Sequence, residues 1–356
     1  MSSAAGDSFR IAITADFQDE HGQPRYRDIG LDTFAGHSHI VTSGFGKHFP
    51  EIQADQLRGC QAALVLTPRV TSASLAGNDQ LLCLSRFGVG FDTVDIAACT
   101  EHDVLVTNTP GAVDRPVAEA TIGWMLALTH RMLQKDRLVR TGRWDDRSGY
   151  MGSELRDRVL GIVGLGGIGR KLVELVRGFG MRQPIAFDPH ASPEVFETLG
   201  VRSVTLGELL EQADFVSLHC PLNEQTRGLI GAAELGRMKA DAWLLNLARG
   251  GIVDEEALDQ ALRSGGIAGA ALDCFENEPV TAPPRFADLE NVLLAPHSIA
   301  WTEELFRDIG RSACGSLLDL SLGRTPFGMV NPEVLERPGF RRKWEAAAVA
   351  SSTAGR

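Results

Sequence analysis

The sequence predicts an α/β protein with two domains, each built around a parallel sheet. Short apolar segments alternate with helical or turn segments in two separate series, a rhythm typical of strand and helix units. At 356 residues the chain is too long for one ordinary core and suits two domains. Hydrophobic residues make up 44% of the chain and charged residues 23%, which is a globular balance.

The first series predicts five strands, followed by a long helix. The five apolar segments are FRIAITA, HIVTSGF, AALVLTP, LLCLSRFG and VLVTNTP. The helix is predicted to open at Pro116 and to close near Gly142, because proline at a first helical position costs no hydrogen bond. Its apolar character on several sides predicts a buried or interface helix.

The second series predicts six strands of one doubly wound sheet. Its segments are RVLGIVG, PIAFDPH, DFVSLHC, AWLLNLARG, IAGAALDCF and NVLLAPH. The stretch from Trp301 to about Asn331 has a helical pattern, and we expect it to pack back on the first domain. The tail after about residue 344 is rich in alanine and serine, and we expect it to be disordered.

Composition and charge exclude several classes of protein. The formal charge of −11 opposes binding to nucleic acid, and no apolar run approaches the ~20 residues of a membrane span. The first residues show no secretory pattern, so we expect a cytoplasmic protein. The cysteines lack zinc-like spacing, so we expect reduced thiols and no metal site. They are Cys60, Cys83, Cys99, Cys220, Cys274 and Cys314.

A glycine-rich segment between a strand and a helix predicts a dinucleotide site. The buried strand ends at Val163, and the helical pattern begins within the segment. There a helix N-terminus can receive a pyrophosphate. The motif by itself is weak, since a glycine-rich surface turn looks the same. Its candidate residues are Gly164, Gly166, Gly167, Ile168 and Gly169.

Asp188 makes the dinucleotide interpretation much stronger. It stands nineteen residues beyond Gly169, at the end of the strand-like PIAFD, where a carboxylate can accept hydrogen bonds from a ribose. A carboxylate there also repels a 2′-phosphate, and Pro189 and His190 offer no arginine to receive one. The sequence therefore predicts NAD as the cofactor in preference to NADP.

Three polar residues follow apolar strands farther along the chain. Arg249, Glu278 and His297 supply a cation for a carboxylate, an acid and a proton donor, as hydride transfer to a 2-oxo acid requires. Each has an ordinary alternative: a surface salt bridge for the arginine and a cap for the histidine. For the glutamate, neighbouring Glu276 competes for the same role.

The chain resembles the D-isomer-specific 2-hydroxyacid dehydrogenase family from Leu82 to Thr302. Seven segments in the family's order carry the resemblance: RFGVGFDTVD, VTNTPG with VAE, GLGGIG, HCPLNEQTRGLI, NLARGGIVDE, ALDCFENEP and APHSIAWT. The resemblance implies an NAD-dependent enzyme that moves a hydride between nicotinamide and C2 of a small 2-hydroxy or 2-oxo acid. Glyoxylate, hydroxypyruvate and phosphoglycerate-like acids are the implied substrates.

The resemblance also implies roles for individual residues. Arg249 binds substrate, His297 is the acid/base, and Glu278, directly before proline, keeps the histidine protonated. Asp273 orients the nicotinamide carboxamide. The further cofactor contacts are Pro221, Thr226, Leu247 and Ala248, and the substrate carboxylate is gripped by backbone N–H groups at Val89 and Gly90.

The family fold implies two Rossmann-like or flavodoxin-like domains, with the cofactor domain inserted into a discontinuous substrate domain. Residues 1–110 and 300–356 form the substrate domain, and residues 111–299 form the NAD-binding domain. Family members are usually homodimers through the cofactor domain, which fits the apolar helix after Pro116.

Related activities remain open at this stage. Glu278 argues against a formate dehydrogenase, since members with that activity carry glutamine there. A phosphite dehydrogenase or an NAD(H)-sensing co-repressor shares the fold, and the co-repressors even keep the catalytic residues. Departures from the family pattern put the substrate in doubt: they are Arg115, Ala120 and Trp301.

Overall fold

The computed structural model describes residues 8–353, with side chains described through residue 347. Twelve strands in this part of the chain form two sheets in which every pairing between strands is parallel. The strands are β1 Phe9–Ile13, β2 Ile40–Gly44, β3 Ala62–Val65, β4 Cys83–Arg86, β5 Leu105–Thr107, β6 Leu160–Val163, β7 Ile185–Phe187, β8 Arg202–Ser203, β9 Phe215–Leu218, β10 Trp243–Asn246, β11 Gly269–Leu272 and β12 Val292–Leu294.

Helices connect the strands and flank the sheets. Within the described residues they are α1 Ser72–Leu75, α2 Ile96–Glu101, α3 Asp114–Thr129, α4 Met132–Arg140, α5 Gly167–Val176, α6 Pro193–Leu199, α7 Leu206–Gln212, α8 Ala232–Leu235, α9 Glu255–Arg263, α10 Glu303–Ser321 and α11 Pro338–Thr353. None of the helices in this part of the chain combines the length and apolar character of a membrane span.

The chain divides into two compact units. The terminal unit takes the chain up to Val113 together with the part from Thr302 onward, and the central unit is Asp114–Trp301. The predicted division into a substrate domain (1–110 and 300–356) and an NAD-binding domain (111–299) stays a prediction. Each unit contains one sheet, so the predicted α/β class with two parallel-sheet units is confirmed.

The terminal unit has a five-stranded sheet in the order β2-β1-β3-β4-β5. All five strands come from the five predicted segments. Helix α10 packs on this sheet, where the Ser85 hydroxyl donates a hydrogen bond of 3.2 Å to the Ala313 carbonyl. The buried residues Ala313 and Leu317 mark the face of α10 that joins the core.

The central unit has a seven-stranded sheet in the order β12-β11-β10-β9-β6-β7-β8. The chain moves outward from β6 through β7 to β8, then returns to the other side of β6 at β9. This reversal is the switch point at which doubly wound sheets bind ligands. Strand β8 was not predicted because its two residues, Arg202 and Ser203, are both exposed and form no apolar run.

The single long helix predicted from Pro116 is two helices, so that prediction was wrong. Helix α3 ends at Thr129, and Arg131 adopts a left-handed φ of 51° before α4 begins. The carbonyl of Thr129 accepts a hydrogen bond of 2.9 Å from the Ser153 N–H. A contact with a distant segment therefore takes an acceptor that a continuous helix would use, which local sequence cannot show.

Two predictions near the C-terminus also differ from the structure. Helix α10 ends at Ser321 rather than continuing to Asn331, and Gly323, at a left-handed φ of 72°, follows its end as glycine commonly does. Helix α11 continues to Thr353, beyond the predicted start of disorder near residue 344. Alanine has the highest helix propensity, which accounts for helix in this alanine-rich stretch. The last three residues lie outside the described part.

A close backbone contact in the terminal unit yields a stability prediction. An ideal Cβ on Gly310 would lie 2.2 Å from the Ile29 carbonyl carbon, whereas one on Gly315, also in α10, would meet nothing within 4 Å. We expect Gly310→Ala to lower the free energy of unfolding by about 1–3 kcal/mol through overpacking. Gly315→Ala should raise it by about 0.5–1 kcal/mol. Urea denaturation of both variants checks this, and equal effects would contradict the contact.

Candidate active site

The glycine loop of the central unit is a tight turn between β6 and α5. Gly164 has a φ of +94°, and an ideal Cβ there would lie 2.8 Å from the Cys220 backbone nitrogen. A Cβ on Gly169 would lie 2.5 Å from the Gly164 carbonyl oxygen. Side chains at these two positions would force the strand and helix apart, so both glycines serve the close packing that the motif predicts.

Space is open beside Gly166, the residue that precedes α5. A Cβ built on Gly166 meets nothing within 4 Å, whereas a Cβ on Gly164 or Gly169 would meet backbone atoms. Helix α5 begins at Gly167, and its first N–H groups have no partner within the helix. Open space in front of a helix N-terminus fits a phosphate group, so these residues fit the pyrophosphate of a dinucleotide.

Asp188 is tied to the glycine loop by backbone hydrogen bonds. Its Oδ2 accepts a bond of 2.7 Å from the Leu165 N–H, and its Oδ1 accepts bonds from the N–H groups of His190 and Ala191 at 2.8 and 3.2 Å. These three bonds fix the carboxylate at the end of β7, and Oδ2 keeps a lone pair for one further donor.

The residues predicted to form the catalytic group come together at the carboxyl ends of adjacent strands. The Nδ1 atom of His297, after β12, lies 2.8 Å from Oε2 of Glu278, after β11. The other carboxylate oxygen, Oε1, accepts a bond of 2.8 Å from the Phe275 N–H. Burial raises the pKa of Glu278, but the hydrogen bonds from His297 and Phe275 and the charge of Arg249 outweigh it, so the pKa is lowered.

Asp273 holds the backbone on which His297 stands. His297 has a left-handed φ of 52°, which non-glycine residues rarely adopt. Its N–H donates to the Asp273 carbonyl at 2.8 Å, while the Asp273 carboxylate accepts the N–H groups of Ser298 at 2.9 Å and Ile299 at 3.1 Å. One residue of β11's end therefore fixes three consecutive residues of the histidine turn.

Arg249 follows β10, the strand beside β11. The Asn246 side chain closes this turn, because its Nδ2 donates to the Arg249 carbonyl at 2.8 Å and its Oδ1 accepts the Ala248 N–H at 3.1 Å. An ideal Cβ on Gly250 would lie 1.8 Å from the Phe275 carbonyl oxygen, so the two strand ends are in direct contact. Arg249 is thereby held near the Glu278 and His297 pair.

The loop after β9 holds two more of the predicted cofactor contacts. The Thr226 hydroxyl donates to the Pro221 carbonyl at 2.6 Å, which folds the loop onto itself. Leu247 and Ala248, also predicted, are buried with less than a tenth of their surface exposed. The structure places all four in the central unit with the glycine loop.

The predicted substrate turn lies in the terminal unit, after β4. Gly88 has a φ of 133°, and its carbonyl accepts the Thr109 N–H at 3.2 Å. The Asn108 side chain donates to the Val89 carbonyl at 2.7 Å. These bonds to the loop after β5 hold Val89 and Gly90 in a defined turn, both partly exposed.

The sequence matches one family of enzymes. The sequence model of the D-isomer specific 2-hydroxyacid dehydrogenase NAD-binding domain matches residues 122–298. A glyoxylate reductase of Korarchaeum cryptofilum is 36% identical over 81% of this chain and 88% of that protein. A glyoxylate reductase of Aeropyrum pernix is 39% identical over 78% of this chain and 84% of that protein. The chain belongs to this family.

Solved structures agree with the assignment to the D-2-hydroxyacid dehydrogenases. The NAD complex of the enzyme from Lactobacillus delbrueckii ssp. bulgaricus aligns with a TM-score of 0.72 at 26% identity, over 90% of this chain and all of that one. The rat D-3-phosphoglycerate dehydrogenase is 38% identical over 79% of this chain, which spans only about half of that enzyme. The protein is an NAD-dependent oxidoreductase of 2-hydroxy acids.

The positions where this dehydrogenase departs from the family pattern lie in different environments. Arg115 forms an ion pair of 2.7 Å with Glu119 on the exposed side of α3. Ala120 packs against the core of the central unit. Trp301, four residues after His297, exposes about half of its surface. Arg115 thus has the environment of a surface helix pair, while Trp301 stays close to His297 along the chain.

Sequence reasoning missed three residues that the fold brings to the dehydrogenase site. Asn246 braces the arginine turn, and Cys274 lies beside the Glu278 and His297 pair. Asp114 at the start of α3 lies against Gly167, where an added Cβ would be 2.1 Å from its Oδ2, and leaves the space beside Gly166 open. Burial raises the pKa of this carboxyl group. Asn246 and Cys274 stand inside the segments NLARGGIVDE and ALDCFENEP, so the signal for them was their position in those motifs, whereas Asp114 lies outside every quoted segment.

Asp273 can be tested as a positioning residue. We expect Asp273→Ala to lower kcat about 10–100-fold, because the histidine turn loses the carboxylate that holds it. Asp273→Asn keeps an acceptor oxygen and should restore most of kcat, and both variants should bind NADH as the wild type does. Steady-state kinetics and NADH fluorescence titration measure these quantities. Weaker NADH binding with unchanged kcat would instead indicate contact with the nicotinamide carboxamide.

Proposed function

We propose that the protein uses NADH to reduce a small 2-oxo acid to the D-2-hydroxy acid, with glyoxylate and hydroxypyruvate as the first candidates and a phosphoglycerate-like acid as the alternative. The observation that carries the mechanism is the 2.8 Å contact between His297 Nδ1 and Glu278 Oε2, with the charge of Arg249 beside it. The names of the relatives from Korarchaeum cryptofilum and Aeropyrum pernix support glyoxylate.

Arg249 has the chemistry to hold and polarise the substrate. Its guanidinium presents planar donors that match a carboxylate and can also stabilise negative charge on the carbonyl oxygen. The bonds from Asn246 fix its backbone, so the side chain starts from a rigid strand end. Preorganised donors of this kind stabilise charge that develops in the transition state.

His297 is the proposed proton donor. Because Nδ1 faces Glu278, Nε2 is the ring nitrogen left to give its proton to the developing alkoxide. Glu278 has a lowered pKa, so it is ionised and its Oε2 can accept a charge-assisted hydrogen bond from the His297 Nδ1–H. In the oxidative direction the same nitrogen accepts the hydroxyl proton.

The glycine loop and Asp188 form the proposed binding site of NAD. When bound, NAD supplies or accepts the hydride. Gly164, Gly166, Gly167, Ile168 and Gly169 would hold the pyrophosphate at the start of α5, and Asp188 would accept the ribose hydroxyls. Pro221, Thr226, Leu247 and Ala248 would complete the contacts. The negative charge of Asp188 favours NAD over NADP.

The terminal unit is the proposed source of the carboxylate-binding turn. Backbone N–H groups of Val89 and Gly90 follow Gly88, whose positive φ turns the chain after β4. Successive N–H groups in such a turn form a small anion site without any charged side chain. This placement suits a substrate whose carboxylate is small and planar.

A panel of 2-oxo acids tests the proposed function. Glyoxylate, hydroxypyruvate, pyruvate and larger 2-oxo acids should be offered with NADH and, separately, with NADPH, and the oxidation of the cofactor followed by absorbance. We expect turnover with a small 2-oxo acid and a higher kcat/KM with NADH. An absence of turnover with every acid would favour an NAD(H)-binding role, and a preference for NADPH would refute the role of Asp188.

The pH dependence tests the roles of Glu278 and His297, the pair that we call the dyad. His297→Ala should lower kcat for reduction about 10²–10⁴-fold. Glu278, with its lowered pKa, stays ionised until the pH is acidic, so its protonation should cause a decline of kcat/KM at low pH. That decline should be absent from the profile of Glu278→Gln. Glu276→Gln is the matched control, because Glu276 instead accepts the Glu255 N–H at 3.2 Å. A profile that shifts equally in both glutamine variants would contradict the assignment.

A homodimer through the central unit is a further part of the proposal. Exposed large hydrophobic residues concentrate between positions 132 and 151, which we call the α4 patch: Met132, Leu133, Val139, Trp144 and Met151. Such a concentration is unusual for a surface that only meets water. Light scattering should give twice the chain mass of 38.4 kDa. Val139→Asp with Trp144→Ser should halve it, whereas Phe327→Asp, an exposed control in the terminal unit, should not.

The cysteines support the proposed cytoplasmic location. None of the six cysteines, all of them in the described part of the chain, forms a disulfide, and five are buried. Free cysteines in such number suit a reducing compartment. Cell fractionation with an antibody against the protein tests the location.

A further inference from the structure

Three side chains with different donor atoms meet at the proposed dyad. The Cys274 sulfur, a Glu278 carboxylate oxygen and a His297 ring nitrogen all lie within 4.8 Å of one another. Cys274 directly follows Asp273 at the end of β11, and only 2% of its surface is exposed. Its thiol donates a weak hydrogen bond of 3.4 Å to the Ala248 carbonyl.

We propose that Cys274, Glu278 and His297 form a binding site for Zn²⁺, and that zinc bound there switches off the dehydrogenase. The inhibitory part rests on the proposed roles of His297 and Glu278, whereas the binding site itself does not. One thiolate, one imidazole and one carboxylate are the ligand types that zinc prefers. Three protein ligands leave the fourth tetrahedral position for water.

The ligand atoms must shift by about an ångström or less to accept the ion, since all three lie within 4.8 Å of one another. With zinc–nitrogen and zinc–oxygen bonds of ~2.0–2.2 Å, two ligands on one tetrahedral ion stand about 3.4 Å apart. His297 Nδ1 and Glu278 Oε2 stand 2.8 Å apart. The bond from the Phe275 N–H to Oε1 holds the carboxylate while Oε2 rotates toward the ion. The half-exposed His297 side chain provides the side from which an ion can arrive.

Binding exchanges protons for the metal. The Cys274 thiol and His297 Nδ1 each lose a proton to solvent as the zinc–sulfur and zinc–nitrogen bonds form, and the hydrogen bond between His297 and Glu278 breaks. The histidine nitrogen must also be unprotonated, so binding should strengthen as pH rises. No oxidation or reduction is involved.

Occupancy of this site removes the acid that reduction requires. Zinc bound to His297 Nδ1 takes the lone pair of that nitrogen and breaks its hydrogen bond to Glu278. Loss of the Nε2 proton would then leave an anionic imidazolate, so Nε2 no longer delivers a proton readily. The lost function is therefore proton transfer, while NADH binding at the glycine loop stays intact. Mg²⁺ prefers oxygen ligands in octahedral geometry, so it should not replace zinc.

Zinc titration with matched cysteine variants tests the proposal. The purified full-length protein is assayed for NADH oxidation in buffered zinc, then treated with EDTA. We expect loss of activity that EDTA restores, with no effect of Mg²⁺. Cys274→Val should keep the basal rate within about twofold and need at least about tenfold more zinc for half inhibition. Cys60→Ala, a buried thiol of the terminal unit, is the control and should respond as the wild type does.

A binding measurement separates the site from the proposed activity. Co²⁺ added to the apoprotein should produce a sulfur-to-metal charge-transfer absorption that is absent in Cys274→Val, and chelator competition should show one zinc per chain. If no 2-oxo acid is turned over but the absorption appears, the function fails while the site stands. Equal zinc inhibition of wild type and Cys274→Val, or no difference in cobalt absorption between them, would overturn the site.

Discussion

The site depends on the hydrogen bonds by which Asp273 fixes the turn that follows β12. Its carbonyl and carboxylate take the N–H groups of three consecutive residues, and His297 is thereby kept at a positive φ that it would not adopt unaided. That backbone conformation aims Nδ1 at Glu278, which the Phe275 N–H orients in turn. The proposed proton donor is therefore built from backbone bonds as much as from side chains.

The parallel sheet explains why these parts lie together. Strands β10, β11 and β12 are neighbours, so the turns after them, which carry Arg249, Glu278 and His297, share one edge. The strand order reverses between β9 and β6, and the glycine loop follows β6 at that same edge. A cofactor site and a proton donor are thus placed by strand order, although their residues are far apart along the chain.

The lone pairs on the His297 nitrogen and the Glu278 oxygen can bind a metal as well as share a proton. A histidine nitrogen and a carboxylate oxygen that share a proton are also ligands for a metal, and the neighbouring thiol of Cys274 completes a set that zinc prefers. Proton transfer and metal binding compete for those atoms. Cys274, which has no part in the proposed reaction, can therefore decide whether an available metal inhibits that reaction.

The sequence by itself predicted every strand of both sheets except β8. It also predicted the glycine turn between a strand and a helix, with Asp188 at the end of the next strand, because apolar periodicity and glycine spacing are local properties. Its residues alone left Glu276 and Glu278 as alternatives, and family resemblance favoured Glu278. Only the tertiary structure decided which glutamate meets His297, that α3 ends where Ser153 takes the Thr129 carbonyl, and that Cys274 lies beside the dyad. These features depend on hydrogen bonds and approaches between separate segments, and no local pattern records them.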